Sequence, residues 1–198
     1  MSEWLVHLPT WMIARTTGLI AYYLLFAGMF LGILYGTPSL KGTWKARIYT
    51  WHTRTQGAGM IFALAHVLVL VIDHYSPFSW SELLVPFSHP EHPITYGLGS
   101  LAFYGLLLVL LTSDFRTTLP KKLWLALHML SYPIYFMALI HGIYNGTDTQ
   151  TPAVFGGYIA TAAALLIVTF YRASAESRAR ASRPLVAKTE HAREVRHP

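Results

Sequence analysis

The sequence predicts an all-α integral membrane bundle of five transmembrane helices, with the N-terminus outside and the C-terminus cytoplasmic. Four observations lead there. Of the 198 residues, 54% are hydrophobic and only 12% charged, roughly half the charged share of a soluble domain. Five apolar stretches, residues 13–35, 49–72, 94–111, 123–143 and 154–171, reach or approach the about 20 residues that cross a bilayer as helix. Period-2 alternation is absent, which disfavours a membrane barrel. Finally, fourteen of the fifteen Lys and Arg residues fall in three places. They are a first loop (Lys41, Lys45, Arg47, Arg54), a third loop (Arg116, Lys121, Lys122), and the segment from Arg172 onward. The second and fourth loops hold none, which is the positive-inside pattern.

The same distribution explains the formal charge of +6 without nucleic acid, because the cations follow the loops rather than one face. With no cysteine in the chain, disulfides, thiolate metal sites, iron–sulfur clusters and covalent haem attachment through C-x-x-C-H are excluded. The N-terminus lacks the basic region and small-residue cleavage site of a secretory signal, so the first apolar stretch is expected to stay in the protein. The expected division is a membrane domain over residues 1–172 and a basic, disordered cytoplasmic tail over 173–198, attracted to the lipid surface.

In order along the chain, Trp4 and Trp11 read as interfacial aromatics and His7 as a surface histidine. Helix one carries Arg15, the one cation outside the cytoplasmic set. It either snorkels to the outer headgroups or pairs with a buried anion. Gly36, Pro38 and Gly42 end this helix, and the basic loop leads into helix two near Tyr49. The second loop, from Asp73 to Pro93, holds His74, His89 and His92 in a run (S-H-P-E-H-P around the last two) that allows an outward metal site or simply an exposed polar loop. Trp80 and Phe78 anchor it at the interface. Helix three has glycines and no ionisable side chain in its interior. Helix four contains Pro133, where a kink is expected. A polar turn, N-G-T-D-T-Q-T-P, precedes helix five.

Four histidines carry the chemistry. Helix two reads H-x13-H (His52, His66) and helix four H-x12-H (His128, His141). An ionisable side chain within a span is costly to bury and marks a functional site. At 1.5 Å per residue, each pair is separated by roughly 20 Å along its helix. Helices two and four run in the same direction, so His52 can face His128 near the cytoplasmic side and His66 can face His141 near the outer side. Two imidazoles per level, with no thiolate or carboxylate, suit two non-covalent b-type haems with both axial positions filled, an arrangement for electron transfer. The azimuths fit unequally. Fourteen steps return His66 to about 40° from the face of His52, whereas thirteen steps leave His141 roughly opposite His128 on an ideal helix. A bend near Pro133 must make up the difference, so helix four is expected not to be straight.

The pattern resembles the ferric reductase-like transmembrane domain, the haem module shared with NADPH oxidases. It is also similar to the haem membrane subunit of the bacterial methionine sulfoxide reductase system. The matching stretches are A-R-T-T-G-L-I-A-Y-Y at 14–23, H-x13-H at 52–66, T-S-D-F-R at 112–116 and L-W-L-A-L-H-x12-H at 123–141. The resemblance covers about residues 13–172. It implies that the four histidines bind two stacked haems in the pairs His52–His128 and His66–His141. It also implies that Arg15 lies close to the outer haem as a propionate or acceptor-site partner, with Arg54 and Arg47 as weaker candidates near the inner one.

Full oxidoreductases of this family carry an FAD- and NADPH-binding region. Here no G-x-G-x-x-G fingerprint follows the last helix, and one N-terminal helix of the larger relatives has no counterpart. Electrons are therefore expected from a separate cytoplasmic flavoprotein, with FAD or FMN bound by that partner, or from membrane quinol. The expected acceptor is ferric iron, oxygen or an extracytoplasmic reductase, and the expected location a bacterial-type cytoplasmic membrane. Two other functions stay open on the residues alone. One is a quinol-oxidising anchor for a partner reductase, the other a metal or proton transporter lined by histidine.

Overall fold

The computed structural model describes residues 9–73 and 77–194, with side chains through Ala181. Trp4, His7 and His74 lie outside the described residues. Seven helices follow in order: α1 (Thr10–Tyr35), α2 (Gly42–Ile72), the short α3 (Trp80–Leu84), α4 (Pro93–Asp114), α5 (Lys121–Met129), α6 (Ser131–Asn145) and α7 (Pro152–Glu194). A 3-10 turn, Thr147–Gln150, joins α6 to α7. Among the described residues there is no strand. Five segments are long and apolar enough to cross a membrane: α1, α2, α4, the α5–α6 pair, and α7 as far as Ala181. The chain is a multi-pass, all-α membrane protein.

Apolar side chains lie both inside and outside, as expected where the surrounding solvent is itself hydrocarbon. The inside is built from Tyr22, Leu25, Met29 and Ile33 of α1, Leu106 and Val109 of α4, Tyr135 and Leu139 of α6, and Leu165 and Val168 of α7. Outside, Ile61, Leu64 and Leu68 of α2 and Leu166, Ile167 and Phe170 of α7 are exposed. At mid-height the Tyr22 hydroxyl sits 2.7 Å from that of Tyr135 and 2.6 Å from that of Thr161. This small buried network ties α1, α6 and α7 together, and its polar groups satisfy one another.

Two antiparallel pairs position everything else. α1 packs along α2 so that Ala14 meets His66, Ala21 meets Gly59 and Gly28 meets His52. The Thr10 hydroxyl, donating to the Asp73 carboxylate at 2.5 Å, closes one end of that pair. α4 packs along α5–α6 so that Thr95 meets His141, Gly105 meets Ile134 and Ser113 meets His128. By contrast, α2 and α5–α6 make almost no backbone contact with each other.

Several boundaries differ from the sequence expectation. α2 begins at Gly42, not near Tyr49, so Lys45 and Arg47 stand on its first turns rather than in a loop. There they rest on aromatic rings, Lys45 on Tyr35 and Arg47 on Trp44, in cation–π contacts that suit a membrane interface. The second loop holds α3, started by a capping box in which Ser79 and Glu82 exchange hydrogen bonds. Those bonds, from the Ser79 hydroxyl and its backbone N–H, hold the Glu82 carboxyl below the usual range. The fourth span is broken, as a thirteen-residue histidine interval requires. The break lies at Leu130, one turn before Pro133. Proline has no N–H to give the carbonyl four residues back, which belongs to Met129. The chain instead tightens there, with the Leu130 N–H bonded to Leu127, and resumes with Ile134 bonded to Leu130. Finally, α7 does not stop at Arg172; its backbone stays helical to Glu194.

Candidate functional site: two histidine pairs

The four histidines meet two by two. The rings of His52 and His128 have centroids 6.2 Å apart, and those of His66 and His141 are 6.4 Å apart. The first pair lies towards the end of the bundle that carries Lys41, Lys45, Lys121 and Lys122, here called the lysine-rich end, and the second towards the far end.

Each ring is turned by a partner on the neighbouring helix. Nδ1 of His52 donates to the Gly28 carbonyl at 2.7 Å, Nδ1 of His66 to Ala14 at 2.8 Å, and Nδ1 of His141 to Thr95 at 2.9 Å. A carbonyl cannot donate, so Nδ1 carries the proton and Nε2 keeps its lone pair, the tautomer a metal ligand needs; at His141 this requires the Asn145 side-chain amide, 3.1 Å from Nδ1, to turn its oxygen to the ring. His128 is held differently. Its Nδ1 is 3.4 Å from the Ser113 hydroxyl, and its ring stacks on Trp124 at 5.1 Å.

The three carbonyls are reachable for a common reason. In a helix the side chain four residues on covers the turn in which a carbonyl lies. Four residues after Ala14, Gly28 and Thr95 stand Gly18, Gly32 and Gly99. A Cβ at any of these would press on an imidazole, 3.0 Å from His66 at Gly18, 3.0 Å from His52 at Gly32 and 2.6 Å from His141 at Gly99. Sequence reasoning passed over α1 as a supplier of such partners, although the signal was present. The two pairs Ala14/Gly18 and Gly28/Gly32 repeat after fourteen residues, the same interval that separates His52 from His66.

These residues pass a test of fit to a planar iron macrocycle. Two imidazoles that share one metal through Nε2, at about 2 Å per bond, place their ring centres about 6 Å apart, as both pairs do. The helices bearing the ligands stand apart from each other, and a cavity of about 220 Å³ opens between them at the far end, reached by His66, His141, Gly18, Gly99 and Tyr22. Among the described residues no three His, Cys, Asp or Glu side chains gather around one point.

Arg15 lies at the mouth of that cavity. Its guanidinium pairs with both carboxylate oxygens of Asp148, Nε at 2.8 Å and Nη2 in a second contact, a fork geometry suited to carboxylate. Sequence reading had not singled out Asp148, which belongs to the polar turn. Arg54 is exposed on α2, two residues after His52 and so about 200° round the helix from it. Among the described residues, His89 and His92 join no group of three metal-ligating side chains. Nδ1 of His89 accepts the backbone N–H groups of Glu91 and His92, and its ring packs at a tilt on Tyr96, centroids 4.3 Å apart.

Comparison with curated proteins and with solved structures gave no match. Comparison with family models matched the ferric reductase like transmembrane component over residues 17–139. That stretch holds His52, His66, His128 and all three glycines, and stops two residues short of His141. The chain therefore belongs to the ferric reductase like transmembrane component family, a membrane electron-transfer module.

Proposed function

We propose that the protein is a transmembrane b-type cytochrome that passes electrons across the bilayer through two haems. His52 and His128 hold one, and His66 and His141 hold the other. The observation that carries this reading is the pair of ring separations, 6.2 and 6.4 Å, with three of the four Nδ1 atoms committed to carbonyls. When bound, such a group would supply a one-electron iron couple for electron transfer. The protein's own residues do the rest. The carbonyls of Ala14, Gly28 and Thr95 hold the rings in one tautomer and one orientation. Gly18, Gly32 and Gly99 give the rings space, and the apolar bundle keeps water from both levels.

The lysine-rich end faces the cytoplasm in this reading, by charge bias. The donor there is a separate flavoprotein carrying FAD or FMN, or membrane quinol. The acceptor at the far end is ferric iron, oxygen or an extracytoplasmic reductase. Arg15, tied to Asp148, makes the far mouth an electrically balanced entrance rather than a bare cation.

Haem content and the absorption spectrum of the purified protein test the assignment. Two low-spin b haems per chain are expected, and His66→Ala should remove one of them. A chain purified without haem after expression with adequate haem supply, or a His66→Ala protein that keeps both, overturns it.

A further inference from the structure

Three imidazoles follow one rule and the fourth does not. His66, His52 and His141 each reach a backbone carbonyl that a glycine four residues later leaves uncovered. Gly32 follows Gly18 by fourteen residues, and on α4 the residue fourteen after Gly99 is Ser113. The carbonyl matching Thr95 is that of Val109. It is covered by the Ser113 side chain's turn, and the Thr112 hydroxyl donates to it at 3.2 Å. His128 is left with the Ser113 hydroxyl at 3.4 Å, near the limit of a hydrogen bond.

An acceptor on the outer ring nitrogen raises the basicity of a metal-bound imidazole, and a more basic ligand favours the oxidised metal. The His66–His141 level has two strong acceptors behind its ligands; the His52–His128 level has one. Nearby cations favour the reduced state, which carries one positive charge less. At the far end the cation in the cavity lining, Arg15, is neutralised by Asp148, so it does not raise the potential of that level.

We propose that Ser113 is a positioning residue that sets the electron affinity of the His52–His128 level, making it the higher-potential level of the two. The inference rests on the two-haem reading above. Glycine at this position uncovers the Val109 carbonyl and gives His128 the partner the other three rings have. Alanine removes the hydroxyl and gives nothing in return.

The test is an equilibrium redox titration of the purified, haem-loaded protein, followed by absorbance, in the wild type, Ser113→Gly and Ser113→Ala. Two one-electron components are expected in the wild type. In Ser113→Gly the upper component should fall by about tenfold in its reduction equilibrium, about 59 mV for one electron, with the lower one unmoved. In Ser113→Ala, which keeps a helix-forming residue, the upper component should rise and the lower one again stay in place. Unmoved potentials in both variants, or movement of the lower component alone, overturn the role of Ser113 while leaving the two-haem reading intact. Protein that binds no haem in any variant overturns that reading instead.

Discussion

The site depends on single atoms that are missing from side chains. Gly99 is the tightest case, because a methyl group there would lie 2.6 Å from Nδ1 of His141. The imidazole must move, since the Thr95 carbonyl behind it belongs to a helix backbone that cannot yield. Gly99→Ala should therefore cost the far level its haem, while Gly18→Ala, at 3.0 Å, should weaken retention less. Haem per polypeptide after transfer to excess apomyoglobin measures both. Helix propensity works the other way, since alanine favours a helix over glycine by up to about 1 kcal/mol. Lower haem retention in a chain of equal or greater thermal stability would separate crowding at the ring from a folding defect.

Among the elements, the broken span carries the most information. Its two halves, α5 and α6, meet at Leu130 because Pro133 withholds a hydrogen bond from Met129. An unbroken helix would carry His128 and His141 to nearly opposite sides. Pro133→Ala should restore that helix, turn His128 away from His52 and lower haem content from two towards one, with the far level kept. Slower amide exchange across residues 128–134 would report the repaired hydrogen bonds; unchanged haem content would show that the break is not what aims His128.

Much of this was legible beforehand. The five spans followed from hydropathy, the shared direction of the ligand helices from the loop cations, and the need for a bend from the thirteen-residue interval. Helix starts were less legible. Gly42 to Ile48 is polar enough to read as loop, yet it lies at the membrane edge, where cations on aromatic rings sustain a helix. The pairing of Arg15 with Asp148, 133 residues apart in sequence, had no local signal at all. The glycines of α1 drew no reading from the sequence, because what they uncover are backbone carbonyls, which no side-chain motif announces.

For the molecule as a whole, the two histidine levels lie along one axis of a membrane-spanning bundle, so in the proposed cytochrome an electron moving between them would move through the transmembrane field. Crossing the full bilayer is worth about 2.3 kcal/mol per charge for each 100 mV. With the lysine-rich side negative, that field drives electrons outward and offsets a step from a higher-potential level to a lower one. In proteoliposomes, a potential of that sign should accelerate reduction of an impermeant acceptor on the far side, and the reverse sign should slow it. A rate indifferent to the imposed potential would place the slow step outside the bilayer.

The sparse contact between α2 and α5–α6 has a consequence for how the protein is made. Each antiparallel pair, α1 with α2 and α4 with α5–α6, is local in sequence and can close soon after insertion. Each brings only half of the ligands for either level. The halves touch directly where Tyr22 meets Tyr135, but the seam between α2 and α5–α6 is where the ligands converge, so it is the last part to be completed, and in the proposed cytochrome the prosthetic groups themselves rivet it shut. Haem supply would then act as a checkpoint on biogenesis: a chain made in its absence presents quality-control proteases with two sound hairpins and an open joint.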